Sequence, residues 1–125
     1  MAHHQWRILV VEDDPDGQEV VATILQHLNL AIDVVGNVPD AETLLFQTRN
    51  KYDAAVIDLA LPGKNGWDLL AEILSDEKTA EMPCVAVTAF HTSKLREDAI
   101  KAGFTAYFAK PIDAMAFARR LEELF

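Results

Sequence analysis

Apolar and polar positions fall in blocks along the chain, and the blocks predict alternating strands and helices. Residues 6–11 (WRILVV) form a short apolar run without alternation, the signature of a strand buried on both faces. Asp16 with Glu19 three places later reads as a capping box. Val20, Val21, Ile24, Leu25 and Leu28 then recur at helical spacing, which predicts a helix over 16–28. Residues 31–35 make a second strand, and Asn37 is placed to cap a helix whose apolar side is Ala41, Leu44 and Leu45. The run 54–59 (AAVIDL) is a third strand, closed by a proline–glycine turn at 62–63. Trp67, Leu70, Ala71 and Leu74 mark the face of a third helix, and the polar stretch 75–83 is a loop. A fourth strand spans 84–88 and a fourth helix about 93–102, with Gly103 as its left-handed terminator. A fifth strand spans 105–109, and Ala114, Phe117, Ala118, Leu121 and Leu124 give a last helix.

Continuous apolar strands interleaved with amphipathic helices predict an α/β fold, a doubly wound five-stranded parallel sheet covered on both faces by five helices. The chain has 125 residues, enough for one domain with its own core. Residues 6–125 are expected to form it, with 1–5, including His3 and His4, as a terminal segment outside the fold.

The formal net charge of −9 argues against binding of this domain to nucleic acid or to anionic lipid. The single cysteine, Cys84, lies in an apolar run and reads as a small core residue, which suits a reducing, cytoplasmic setting. No apolar run reaches membrane-spanning length, and no signal-peptide pattern opens the chain.

In a parallel sheet of this kind, functional groups gather beyond the carboxyl ends of the strands. There the sequence places Glu12, Asp13 and Asp14 after strand one, Asp58 after strand three, Thr88 after strand four and Lys110 after strand five. Each has an ordinary explanation taken alone; Asp14, for instance, suits a helix turn. Asp58 is the exception, because it interrupts an apolar run instead of flanking one. The chemistry that uses the whole set is phosphoryl transfer to a carboxylate. Acidic oxygens hold Mg²⁺, which screens the approach of two anions, and the lysine adds a second cationic point.

Four stretches, LVVEDD at 9–14, VIDLALPGKNG at 56–66, VAVTAF at 85–90 and AYFAKPI at 106–112, resemble in order and spacing a bacterial response-regulator receiver domain of the single-domain, CheY-like type. The resemblance covers essentially the whole chain and implies a flavodoxin-like receiver fold with strand order 2-1-3-4-5. It implies Asp58 as phosphoacceptor, Asp13 as a direct Mg²⁺ ligand, Glu12 as a ligand through water, and Ala60 as a ligand through its backbone carbonyl. It implies Thr88 as switch hydroxyl, Tyr107 as switch aromatic, Lys110 as the phosphate-contacting lysine, and a cis Lys110-Pro111 bond. Ala60 and Phe90 fall where the family borders the path of the hydrolytic water, so both are expected to tune the lifetime of the phosphoryl group. The implied donor is a phosphohistidine of a histidine kinase or phosphotransfer protein, docking near the first helix. The implied output is a protein partner at the surface of the fourth helix, fifth strand and fifth helix.

The same resemblance allows a receiver cut from a hybrid histidine kinase. Among other classes, a Mg²⁺-dependent phosphatase with Asp58 as nucleophile needs a general acid two residues on, where Ala60 stands. A flavodoxin-type module needs a phosphate loop after strand one, where the chain has EDDPD. A receiver-like domain signalling without phosphate would not need the complete acid, hydroxyl and lysine set. The expectation is therefore a phosphoacceptor and not an enzyme.

Overall fold

A computed structural model describes residues 5–60 and 65–124. The proline–glycine turn at 62–63, His3 and His4 lie outside the described residues. Five strands, β1 (Arg7–Val11), β2 (Ala31–Val35), β3 (Ala54–Asp58), β4 (Cys84–Thr88) and β5 (Ala106–Ala109), alternate with helices α1 (Pro15–His27), α2 (Val38–Glu42), α3 (Gly66–Ser75), α4 (Ser93–Ala102) and α5 (Ala114–Leu124). The strands are all parallel in the order β2-β1-β3-β4-β5. This is the predicted flavodoxin-like arrangement, and it puts the switch point between β1 and β3 at the centre of the sheet.

The period-two geometry of a strand splits each one between two cores. Leu9, Val11, Ala55, Ile57, Cys84 and Ala86 face one side, where Val38 and Ala41 of α2, Leu69, Leu70 and Ile73 of α3, and Ala99 of α4 cover them. Ile8, Val10, Val56, Val85 and Val87 face the other, under Val21, Ile24 and Leu25 of α1 and Phe117 and Leu121 of α5. Both faces are buried, which is why the strands read as unbroken apolar runs. Of the five apolar positions noted in α1, Val21, Ile24 and Leu25 are core, Leu28 is half-buried, and Val20 is exposed.

Local signals fix the helix ends. Asn37 caps α2 by accepting from Asp40 N–H, Asn65 caps α3 through Asp68 N–H, and Thr92 caps α4 through Leu95 N–H. Gly103 ends α4 with φ of 122°, as its position predicts. One expected cap is corrected. The Asp16–Glu19 box does not form; Asp14 is the cap of α1, accepting from Asp16 N–H and Gly17 N–H. Pro15 fixes the reason: proline is preorganised for the first helical turn, so the helix starts one residue earlier and Asp16 falls inside it. The second helix also departs from expectation. After Glu42 it widens into a π-helical turn, Thr43–Gln47, where the Thr48 hydroxyl competes for the carbonyls of Thr43 and Leu44.

Candidate functional site

Strand register builds the site. Val11 pairs with Ile57, so the next residue on each strand, Glu12 and Asp58, emerges side by side at the sheet's carboxyl end. Asp58 pairs with Val87 and Thr88 with Ala109, so Thr88 and Lys110 join the same rim one strand and two strands away. Lys110 N–H donates to the Thr88 carbonyl at 2.8 Å, which extends the ladder to the lysine itself. The Lys110-Pro111 bond is cis, as the resemblance implied.

The side chains converge as the backbone dictates. Carboxyl oxygens of Glu12, Asp13 and Asp58 lie within 4.8 Å of one another. Lys110 Nζ donates to Asp58 Oδ2 at 3.1 Å and to Glu12 Oε1. Asp58 Oδ1 accepts from Ala60 N–H at 2.9 Å. Glu12, Asp58 and Thr88 are all buried, whereas Asp13 is exposed. Gln18 Nε2 donates to the Glu12 carbonyl at 2.6 Å and pins the acidic turn. Gly17 lies directly under the Glu12 carboxylate, where any Cβ would collide with it.

Burying two carboxyls beside one ammonium forces a division of charge. Burial pushes the Glu12 carboxyl up to about 7, reinforced by Asp58 and opposed by Lys110. Burial acts the same way on Asp58, but its interactions with Glu12, the Ala60 N–H and the Lys110 ammonium outweigh it and hold Asp58 below the ordinary carboxylate value. Burial works against the Lys110 ammonium, and the two acids more than offset it. The two acids therefore shift in opposite directions, Glu12 up and Asp58 down.

The donor set suits a small hard cation. Glu12 Oε2 is buried and has no hydrogen-bond partner among the described residues. A buried, unpaired carboxylate oxygen is costly, and it sits in a cluster of oxygen ligands of the kind Mg²⁺ selects. Asp14, by contrast, spends its carboxylate on the α1 cap and takes no part.

Other predicted residues sit further out. Thr88 Oγ1 accepts from Phe90 N–H at 3.1 Å, while the Phe90 side chain is 72% exposed. Tyr107 is half-buried, and its hydroxyl bonds to His91 Nδ1 at 3.0 Å. The sequence offered no sign of His91, Gln18 or Gly17; their roles arise only from the folded loops around the site. Cys84 is buried and belongs to the core, as expected.

Comparison with known proteins is consistent across the chain. Residues 8–122 match the response regulator receiver domain family. The chain is 28% identical over 123 residues to the chemotaxis protein CheY-3 of Vibrio cholerae, covering 95% of this chain and 91% of that one. It is 30% identical, with a TM-score of 0.85, to the receiver domain of the sensor histidine kinase PA1611 from Pseudomonas aeruginosa PAO1. That alignment covers 97% of this chain and 98% of the other, and that structure has a magnesium ion coordinated in its active-site cleft. A response regulator structure from Chloroflexus aurantiacus shares the fold at a TM-score of 0.90 and 22% identity, over 97% and 98% of the two chains. Among the described residues, no helix is long and apolar enough to cross a membrane.

Proposed function

This chain belongs to the family of response regulator receiver domains, and from that premise we propose that Asp58 accepts a phosphoryl group from a phosphohistidine. The observation that carries the reading is the pairing of Asp58 with Lys110 beside the Glu12–Asp13 acids. An Asp58 carboxyl oxygen attacks phosphorus, the P–N bond breaks, its electron pair returns to the imidazole, and an acyl phosphate forms. Ala60 N–H and Lys110 fix the two Asp58 oxygens, so the nucleophile is oriented before the donor arrives. The low pKa of Asp58 keeps it ionised for attack. Lys110 then stabilises the oxygens of the transferred group. Asp13, Asp58 and the Ala60 carbonyl would hold Mg²⁺, with Glu12 acting through water. The metal supplies charge neutralisation for the transferred group.

Thr88 and Tyr107 are read as the switch pair. The surface formed by α4, β5 and α5 is read as the output face for a protein partner in the cytoplasm, without nucleic acid contact. Phosphoryl transfer and slow self-hydrolysis are the only chemistry assigned to the domain. A second reading concerns its setting: the similarity to a receiver domain of a sensor histidine kinase favours a domain working within a larger kinase equally well.

The test is intact mass after incubation with acetyl phosphate and Mg²⁺. The wild type should gain one phosphoryl group and Asp58→Asn none. Equal gain in both would place the acceptor elsewhere.

A further inference from the structure

A cavity of about 610 Å³ lies at the end of the sheet opposite the acidic rim. Its walls are the π-helical turn after α2, the chain entering β3 and the segment entering β4. Strands of 5 residues separate the two ends, about 16 Å at about 3.3 Å per residue. Leu45 and Met82 give the cavity apolar side chains. Tyr52 gives it a ring, its hydroxyl being committed to Asp33 at 2.6 Å. Arg49, Lys51 and Lys78 give it positive charge. Among the described residues one carboxylate, Asp53, lines it, and Asp53 Oδ2 accepts from Arg7 N–H at 2.8 Å.

The chain has 11 lysines and arginines against 20 acids, so three cations around one cavity run against its overall charge. Packing does not account for them, because all three are exposed. An ion pair accounts for one: Arg49 is held to Asp76 at 2.8 Å, which ties the π turn to the end of α3. Lys51 and Lys78 enter no ion pair among the described residues. Arg49 also stands at φ of 55°, the left-handed position where a helix end usually carries glycine or asparagine. Glycine would end the helix without that steric cost; arginine adds a guanidinium to the cavity wall.

We propose that this cavity binds a small organic anion with an aromatic or aliphatic body. The body lies over Leu45, Tyr52 and Met82, and the acid group lies among Arg49, Lys51 and Lys78. The volume falls within the range of small-molecule sites, about 300–1,000 Å³, which combine apolar walls with a few charged groups. An uncharged molecule would forgo the ammonium groups, and an inorganic anion would leave the apolar walls wet. A molecule with both parts uses both. Arg49 serves as well, since a guanidinium has donors beyond those that one carboxylate takes. The site is separate from the phosphoacceptor rim, and the proposal does not rest on that reading.

The probe is 8-anilinonaphthalene-1-sulfonate, an aromatic anion whose fluorescence rises on leaving water, added to the full chain without metal or phosphoryl donor. It should bind saturably, one molecule per chain. In ¹⁵N–¹H spectra the amides of residues 49–53 and 78–82 should move, and those of Glu12, Asp58 and Thr88 should stay. The double variant Lys51→Gln, Lys78→Gln should weaken the probe about tenfold, the joint worth of two exposed ion pairs. It should leave N-phenyl-1-naphthylamine, the same rings without the sulfonate, bound as before. Lys94→Gln with Lys101→Gln removes the same charge on α4 and should leave the affinity nearly unchanged. Equal weakening by the two double variants means that the probe answers to net charge, and overturns the proposal. Equal weakening of the charged and uncharged probes, shifts centred elsewhere, or the absence of saturable binding overturns it too. Urea midpoints check that each variant folds; were one to unfold, the wild-type spectra would still decide.

Discussion

Lys110 Nζ lies 3.1 Å from Asp58 Oδ2 and also bonds to Glu12, so one ammonium from the end of β5 serves two carboxyls from the ends of β1 and β3. The lysine bonds to two of the three carboxyls that a divalent cation would draw on. It therefore competes with the metal in the resting protein and cooperates with it once phosphoryl oxygens are present.

Lys110→Met should separate these effects. Phosphoryl uptake from acetyl phosphate should slow by about 10²–10³, the usual loss for one preorganised donor to developing oxyanion charge. Mg²⁺ should bind more tightly, because a neighbouring positive charge is gone. Time-resolved intact mass and titration calorimetry read the two quantities. Tighter metal binding cannot come from a misfolded site, so the pair of results is diagnostic.

Ala60 and Phe90 present no polar side-chain atom to a water near Asp58. The double variant Ala60→Asn, Phe90→Glu should shorten the acyl-phosphate lifetime by about tenfold, the value of one good hydrogen bond to the attacking water. Loss of the added mass over time measures it. An unchanged lifetime would remove both residues from that role.

Two glycines predict opposite kinds of damage. A Cβ on Gly66 would stand 2.6 Å from the Asp58 carbonyl oxygen and 2.8 Å from Ile57 Cγ2, both on β3. Gly66→Ala must push α3 off the sheet and should cost about 1–3 kcal/mol, seen as a lower urea midpoint. A Cβ on Gly17 would meet instead the end of the Glu12 side chain, which can swing away. Gly17→Ala should leave the urea midpoint nearly unchanged and weaken Mg²⁺ binding measured by calorimetry.

Burial pushes the Cys84 thiol up to about 12, from an ordinary value of 9.0. In the folded protein it should resist alkylation by iodoacetamide at about pH 8.5 and react once denatured, which mass spectrometry detects. The sign for stability follows from linkage. The raised folded pKa means the contribution is complete below about 9 and lost as pH rises from there toward 12. Tyr52, held to Asp33 at 2.6 Å and raised by burial to about 12, acts in the same direction above its ordinary value of 10.0. Urea midpoints should therefore fall through the alkaline range.

The sequence carried the fold because both faces of the sheet are buried. Each strand then appears as an unbroken apolar run, and each helix as a periodic one, with Asn37 and Gly103 marking ends by their own chemistry. Asp58 stood out in it for a related reason: an acid inside an apolar run has no packing purpose, and the structure brings it together with Glu12, Asp13 and Lys110. The cap of α1 was misassigned because Asp14 and Asp16 are chemically alike, and only the backbone entering Pro15 selects between them.

What the chain order alone determined is which residues stand at strand ends. Which of them touch was decided by register and by the loops, since residues distant in sequence meet only when the sheet aligns them. The opposite shifts of Glu12 and Asp58, the seat that Gly17 leaves for a carboxylate, and the bond between His91 and Tyr107 all depend on distances of a few ångströms. Electrostatic and hydrogen-bond energies vary steeply over such distances, whereas the hydrophobic pattern that sets the fold does not.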